Sequence, residues 1–225
     1  MGVLRVTAFG LIASCAAMAG VLAQTPDLDV GCVPATERGG RELGCFIVGS
    51  VALGKLRGTQ QYWYLDRFDS KAAAQKLQSP RSGVIEAAGH VWLFTIGPSG
   101  WQAGGGERVA VVGPLRVRST AEYTAMYMEA RFTPGMKSRV HRHPGPEAWY
   151  VLEGGQCLET PNGTIVARAG ESAVVPEGPP MQLTGTGSGR RSALVLILHD
   201  SSQAPIAPAS DWTPTGACQR AEAPA

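Results

Sequence analysis

His141-Arg142-His143, followed by Glu147, is the stretch of this chain best equipped for chemistry. Two imidazoles separated by one residue share a face if the segment is extended, because side chains alternate along a strand. A carboxylate four residues beyond the second His can fold back to the same point. Two neutral imidazole nitrogens and one carboxylate can cap one face of a divalent ion and leave other positions open, the pattern of 2-His-1-carboxylate centres. A lone His reads as a satisfied core or surface residue. Two in strand register with a Glu make that reading much weaker.

Glycines frame the cluster. The full string is Gly135-x5-His141-x-His143-x3-Glu147-x6-Gly154. It resembles the first motif of the cupin superfamily, with every defining position present. The family's second motif, G-x5-P-x-G-x2-H-x3-N, is matched in part by Gly170-x5-Pro176-x-Gly178-x2-Met181, with Gly185 in place of the Asn. The resemblance runs from about Met126 to Asp200. It implies a mainly β chain: a single cupin-type jelly-roll β-barrel with one divalent metal (Fe, Mn, Ni, Zn or Cu) on His141, His143 and Glu147.

The departure from the family pattern is Met181, which stands where the usual fourth ligand, a His, is expected. A thioether is soft and suits Cu(I) better than Fe(II), Mn(II) or Zn(II). Three readings follow: a metal on three ligands with Met181 as pocket wall, a copper ion with the sulfur as a weak fourth ligand, or a metal-free pocket for an organic molecule. Pro179 and Pro180 stiffen the approach to Met181 in each case. His199, at a strand end beside Asp200, is a candidate to replace the missing ligand, but a plain strand-end His is the stronger reading. His90, beside Gly89, reads as exposed.

The elements that position the cluster follow from apolar alternation and turn residues. Arg108–Val112 and Tyr123–Phe132 read as strands before the motif, and Glu147–Leu152 as the strand after it. Gln156–Thr160 and Thr164–Arg168 flank Pro161-Asn162-Gly163, whose Asn-Gly is a hairpin turn signal. Ser172–Val175 leads to Pro176, and Ala193–His199 is a nearly continuous apolar run, as expected of a strand covered on both faces. If Glu147 points inward, alternation puts Trp149 and Val151 on the same face as pocket candidates, with plain core the stronger reading for Trp149. Met126, Met128, Ala130 and Phe132 form an apolar, core-facing side, whereas Tyr127, Glu129 and Arg131 suit a solvated or lobe-facing surface.

Upstream, Phe46–Leu53 and Gln61–Phe68 read as strands. Asp69-Ser70 caps a helix reaching Leu77, because Lys71-Ala-Ala-Ala-Gln-Lys-Leu77 is a strong helix former. Val84–Ala87 and Val91–Ile96 then form strands around a Gly89-His90 turn. This order predicts an N-terminal α+β extension over 24–105, either a small lobe or strands added to the sheets of a barrel over 106–200. Gly104-Gly105-Gly106 is a hinge candidate and not a phosphate loop, since no Lys-Ser/Thr follows. Residues 201–225, rich in Ala, Pro and Ser, read as a loose tail anchored only by Trp212 and Cys218.

Arg5 and the apolar run Val6–Leu22 form an export signal, cut after Ala23 in Val21-Leu22-Ala23. The run is too short and too rich in Ala and Gly for a stable membrane span. The alternative is a lipoprotein anchored through Cys15, in Ile12-Ala13-Ser14-Cys15. Cys32, Cys45, Cys157 and Cys218 then remain, an even set that reads as two disulfides in an oxidising compartment. Cys32–Cys45 across a polar loop is the natural local pair, leaving Cys157–Cys218 to tie the tail to a barrel strand. No CxxC points to a thiol redox enzyme or a zinc knuckle.

The net charge is +2 with both signs mixed along the chain, and no basic patch with interleaved aromatics suggests nucleic acid. Gly 29 and Pro 16 favour many strands and tight turns. The expected partner is a small organic molecule, with a homodimer as a further expectation. Two functions compete: a secreted or periplasmic metalloenzyme of dioxygenase or isomerase type, and a non-catalytic ligand-binding module without metal.

Overall fold

The computed structural model describes residues 1–2 and 32–220. Residues 3–31, on which the expected export signal with Cys15 and Ala23 falls, and residues 221–225 lie outside the described residues. Strands dominate, in a jelly-roll arrangement. Among the described residues, no helix is long and apolar enough to cross a membrane.

The central sheet has six strands. Their order is β1 (Val33–Pro34), β2 (Gly44–Lys55), β7 (Glu122–Phe132), β14 (Arg191–Asp200), β9 (Glu147–Glu153) and β12 (Ser172–Val175). On one side lies a four-stranded sheet with order β4 (Ser82–Ala87), β5 (His90–Gly97), β3 (Gln60–Phe68) and β6 (Glu107–Arg116). On the other lie a three-stranded sheet, β11 (Gly163–Arg168), β10 (Gly155–Thr160) and β13 (Gln182–Thr186), and a short pair, β15 (Ala207–Pro208) with β8 (His141–Arg142).

β14 shows why the sequence reads as it does. All ten of its residues are buried. Leu194, Leu196 and Leu198 pack with Trp63, Trp92, Phe94 and Tyr127 against the four-stranded sheet. Val195 and Ile197 face the other way, onto Met128, Trp149 and Leu158. Each fully buried Leu contributes about 1.5–3 kcal/mol of apolar burial, which locks the sandwich on both sides of one strand. A strand covered twice has no polar face, and so loses the alternation that marks an exposed strand.

Two strands lie elsewhere than a cut near residue 105 suggests. β2, from the upstream region, pairs antiparallel with β7 in the central sheet. β6, read with the barrel, pairs with β3 in the four-stranded sheet. The upstream strands thus extend the barrel's own sheet and also cover it. The helix α1 (Lys71–Gln75) starts where its cap predicts, with the Ser70 side chain accepting from the Ala73 N–H, but ends before Leu77.

The lobe-facing side of β7 is buried, not solvated. Tyr127 is fully buried, and burial pushes its phenol up. Glu129 accepts from the Ala88 N–H at 2.8 Å and from Arg38 Nη2 at 2.9 Å, and pairs with Arg131. Ala88 has φ 51°, a left-handed conformation uncommon for a residue with a Cβ. The β4–β5 turn therefore falls at Ala88-Gly89, one residue before the expected Gly89-His90, and Glu129 pins it. His90 opens β5 and is exposed.

The tail is the main correction. Residues 201–220 are not loose. β15 pairs antiparallel with β8, so the chain after β14 returns to the His-Arg-His segment. Arg142 Nη2 donates to both carboxylate oxygens of Asp211, at 2.5 and 2.7 Å. The buried Glu159 of β10 accepts from the backbone N–H groups of Thr215 and Ala217. Cys218, in the short helix α2 (Ala217–Arg220), is buried and bonded to Cys157, with Cα atoms 5.5 Å apart. Cys32–Cys45 forms the second disulfide, 13 residues apart in sequence. A Pro/Ala/Ser-rich composition hides this order because the donors and acceptors that hold the tail lie on β8 and β10.

Candidate metal centre

His141 and His143 lie at the edge of the barrel, where the chain is clamped from both sides. On one side stands β15. On the other, the His141 N–H donates to Met181 O at 3.1 Å and the Met181 N–H to His141 O at 2.8 Å. The Gly178 N–H donates to His143 O at 3.2 Å. The second, partly matched motif therefore runs alongside the first. The two imidazole centroids are 4.9 Å apart and the rings nearly perpendicular.

Each ring is oriented through Nδ1. His141 Nδ1 lies 2.8 Å from Arg139 O, and His143 Nδ1 lies 2.7 Å from Pro205 O. A carbonyl only accepts, so Nδ1 carries the proton and donates, and Nε2 keeps its lone pair. The ring of His143 is thus held by the tail.

Pro144-Gly145-Pro146 carries the chain from His143 to Glu147 along the end of β14. The Leu198 N–H donates to Pro146 O at 3.0 Å, and the Asp200 N–H to Pro144 O at 2.9 Å. A Cβ on Gly145 would run into Leu198 O and come within 2.9 Å of His199 Cα, so only glycine allows this approach. Glu147 then opens β9 opposite Ile197 of β14 and Val175 of β12, pointing inward.

Glu147 Oε1 accepts from Trp149 Nε1 at 2.9 Å, while Oε2 lies 3.3 Å from His143 Nε2. Both Oε2 and His143 Nε2 are buried without a hydrogen-bond partner among the described residues. His141, His143 and Glu147 each offer one ligand atom, all within 4.8 Å of one another. Buried polar atoms left unpaired are costly. Two such atoms converging with a ring nitrogen of His141 fit a divalent ion.

The electrostatics favour an anionic Glu147 and a neutral His141, while an ion must displace the proton that Glu147 favours on His143. Burial opposes the charge on His143, but the adjacent Glu147 carboxylate outweighs it and raises the imidazole above its ordinary range. Burial alone would raise Glu147, yet His143, His141 and the Trp149 N–H hold it low. Burial and the neighbouring His143 push His141 down.

The cluster opens into a cavity of about 210 Å³ between the central and three-stranded sheets. Met128, Phe132, Trp149, Leu158, Leu183, Val195 and Ile197 make most of its wall. Trp149 thus serves as core, as pocket wall and as the partner of Glu147. Met181 and Val151 are buried in the same apolar cluster but do not line the cavity. His199 is buried with Nδ1 on Asp200 O, apart from the cluster. The tail adds Ile206 and Pro208 to the wall, and the Cys32–Cys45 disulfide adds both of its residues. None of the tail contributions had a signal in the sequence, because a carbonyl acceptor such as Pro205 O belongs to every residue type.

Residues 128–197 match the cupin domain family model. No curated protein matches the chain. Similar solved structures include a cupin superfamily protein from Desulfitobacterium hafniense, at 17% identity over 38% of this chain and 74% of that one, with a TM-score of 0.31. A DMSP lyase from Ruegeria pomeroyi matches at 19% identity over 37% of this chain and 42% of that one, with a TM-score of 0.33. A recombinant oxalate oxidase in complex with glycolate matches at 21% identity over 38% of this chain and 45% of that one, with a TM-score of 0.32. The matches span less than half the length of the lyase and oxidase chains. Residues 128–197, which include His141, His143 and Glu147, thus carry a cupin domain.

Proposed function

We propose that this cupin holds one divalent metal on His141 Nε2, His143 Nε2 and Glu147 Oε2, and that it converts a small organic molecule in the adjoining cavity as an oxidoreductase of dioxygenase type or as an isomerase. The observation that carries this reading is the pair of buried atoms, His143 Nε2 and Glu147 Oε2, 3.3 Å apart and without a hydrogen bond among the described residues, converging with His141. A divalent ion there would supply Lewis acidity and, if redox-active, a site for oxygen. The chain's own residues do the rest. Arg139 O and Pro205 O fix the imidazole tautomers, Trp149 holds Oε1 so that Oε2 is free, and the apolar wall excludes water from bound substrate.

One observation favours a second reading. Apart from these three residues, the described cavity wall carries no carboxylate or imidazole to serve as acid or base. On that ground the alternative is a metal-free module for a small ligand. Elemental analysis after reconstitution with Fe, Mn, Ni, Cu and Zn separates the two. The metalloprotein reading expects about one ion per chain, and its loss in Glu147→Gln with the fold intact; no bound ion from any of the five would sink it. Two disulfides suit an oxidising compartment. Together with the export signal they support a secreted or periplasmic protein, with anchoring through Cys15 as the alternative.

A further inference from the structure

Arg191, the first residue of β14, is wholly buried inside the barrel. Register places it opposite Phe132 of β7, and alternation puts it on the same face as Val195 and Ile197. Phe132, Val195 and Ile197 all line the cavity. The guanidinium carbon stands 4.9 Å from the centre of the Phe132 ring. Arg191 itself does not line the cavity, so its charge reaches the interior across that ring.

This charge has no counter-ion. Gln156 Oε1 accepts from Nη2, but Nε and Nη1 have no hydrogen-bond partner among the described residues, and neither does Gln156 Nε2. No carboxylate among the described residues pairs with it; the one acid acting on it is Glu147, from within the same interior. Burial pushes the guanidinium down to about 9, which still leaves it charged at neutral pH. A fully buried arginine without an acid is rare, because a desolvated charge is costly unless met by an opposite one. If Glu147 is committed to a metal, Arg191 has no negative charge left to face.

We propose that the cavity takes a carboxylate-bearing organic molecule, oriented with its carboxylate at the Phe132–Leu158 end in the field of Arg191 and its other end at His141, His143 and Glu147. The inference rests on the cavity being the ligand site of the proposed function and narrows its substrate to an organic anion. A carboxylate suits this end better than a phosphate, because a single charge balances a single guanidinium and most of the wall is apolar, with Ser138 and Arg139 its polar residues besides His141, His143 and Glu147. Arg191 is thereby a specificity-determining residue, acting at a distance from the reacting atoms.

Benzoate and its neutral isostere benzamide are the probes, titrated calorimetrically into chelator-treated full-length protein. Benzoate should bind several-fold more tightly than benzamide, in line with a buried charge acting across one ring rather than through direct contact. Arg191→Met should erase the difference, Arg191→Lys should keep part of it, and the Met variant should retain the wild-type metal content on reconstitution. Equal binding of the two probes to the wild-type protein overturns the proposal whatever the variants do, as does absence of binding by either at millimolar concentration. A preference that survives Arg191→Met assigns the anion to the histidines instead and overturns it too. Failure of the metal reading is a separate result: no ion is bound on reconstitution, while the benzoate preference stands.

Discussion

Cutting the tail away from the barrel should damage the centre it covers, in two measurable ways. The Cys157–Cys218 bond joins residues 61 apart. Loop-closure entropy for a loop of that size stabilises the folded chain by about 4 kcal/mol. At roughly 2–4 °C per kcal/mol for a chain of this length, a Cys157→Ser/Cys218→Ser variant should melt about 8–16 °C lower by calorimetry. Ending the chain at Gln203 in the Cys157→Ser background goes further. It removes Pro205 O from His143 Nδ1, together with Ile206 and Pro208 from the cavity wall. Loss of an outer partner of a ligating His typically weakens metal binding by about 10–100-fold. Competition with a chromogenic chelator measures that shift, and far-UV circular dichroism checks that the strands persist. A truncated, folded chain that holds metal as tightly as the intact one would refute the role given to the tail.

Glu129→Gln should destabilise the protein by about 1.5–3 kcal/mol at neutral pH, since it weakens charge-assisted bonds to Arg38 and the Ala88 N–H. Burial works against the Glu129 charge, but the Ala88 N–H and the Arg38 and Arg131 guanidiniums together hold its carboxyl below the ordinary value for a Glu. A depressed folded value means the contribution is complete above that value and fades as pH falls through the lower folded one. Urea melts should therefore show wild type and variant converging in acid, and a gap that stays constant with pH would contradict this. Met181→His should tighten binding of Zn or Ni with the fold unchanged, whereas Met181→Leu should leave affinity nearly as it was; abolition of binding by the Leu variant would instead make the sulfur a ligand. Gly145→Ala drives a Cβ into the backbone of β14, so a loss of about 1–3 kcal/mol and weaker metal retention are expected. A variant with wild-type melting and metal content would show that the loop has room.

The centre was legible because its donors are local. Two His in strand register and a Glu four residues on need only one strand and one turn to converge, and the framing glycines fix where these fall. The cysteine pairs were legible because a short polar loop brings Cys32 and Cys45 together, leaving only Cys157 for Cys218. The hairpin signal at Pro161-Asn162-Gly163 and the Ser70 cap are likewise local, and both elements form, the turn itself falling at Pro161-Asn162. What escaped depends on distant partners. Strand alternation in β2 does not say that β7 is its neighbour, and the polar side of β7 looks solvated until Arg38 and Ala88 are placed against Glu129. Arg191 lies outside the apolar run Ala193–His199, yet β14 starts with it and register turns it inward. Proline and alanine between residues 201 and 220 carry no periodicity, although their backbone supplies a wall and a hydrogen-bond acceptor to the centre.

The double covering of β14 also dictates where the protein breathes. Its amides are paired on both sides, with β7 and β9, and both of its faces lie beneath other sheets. Exchange with deuterated solvent at these amides requires global unfolding, so they should be the slowest in the molecule. The two-residue ladder between β8 and β15 lies outside the central sheet and can open without disturbing it. Local fraying there would admit and release small molecules on a timescale set by the tail, while the scaffold behind Glu147 keeps its register.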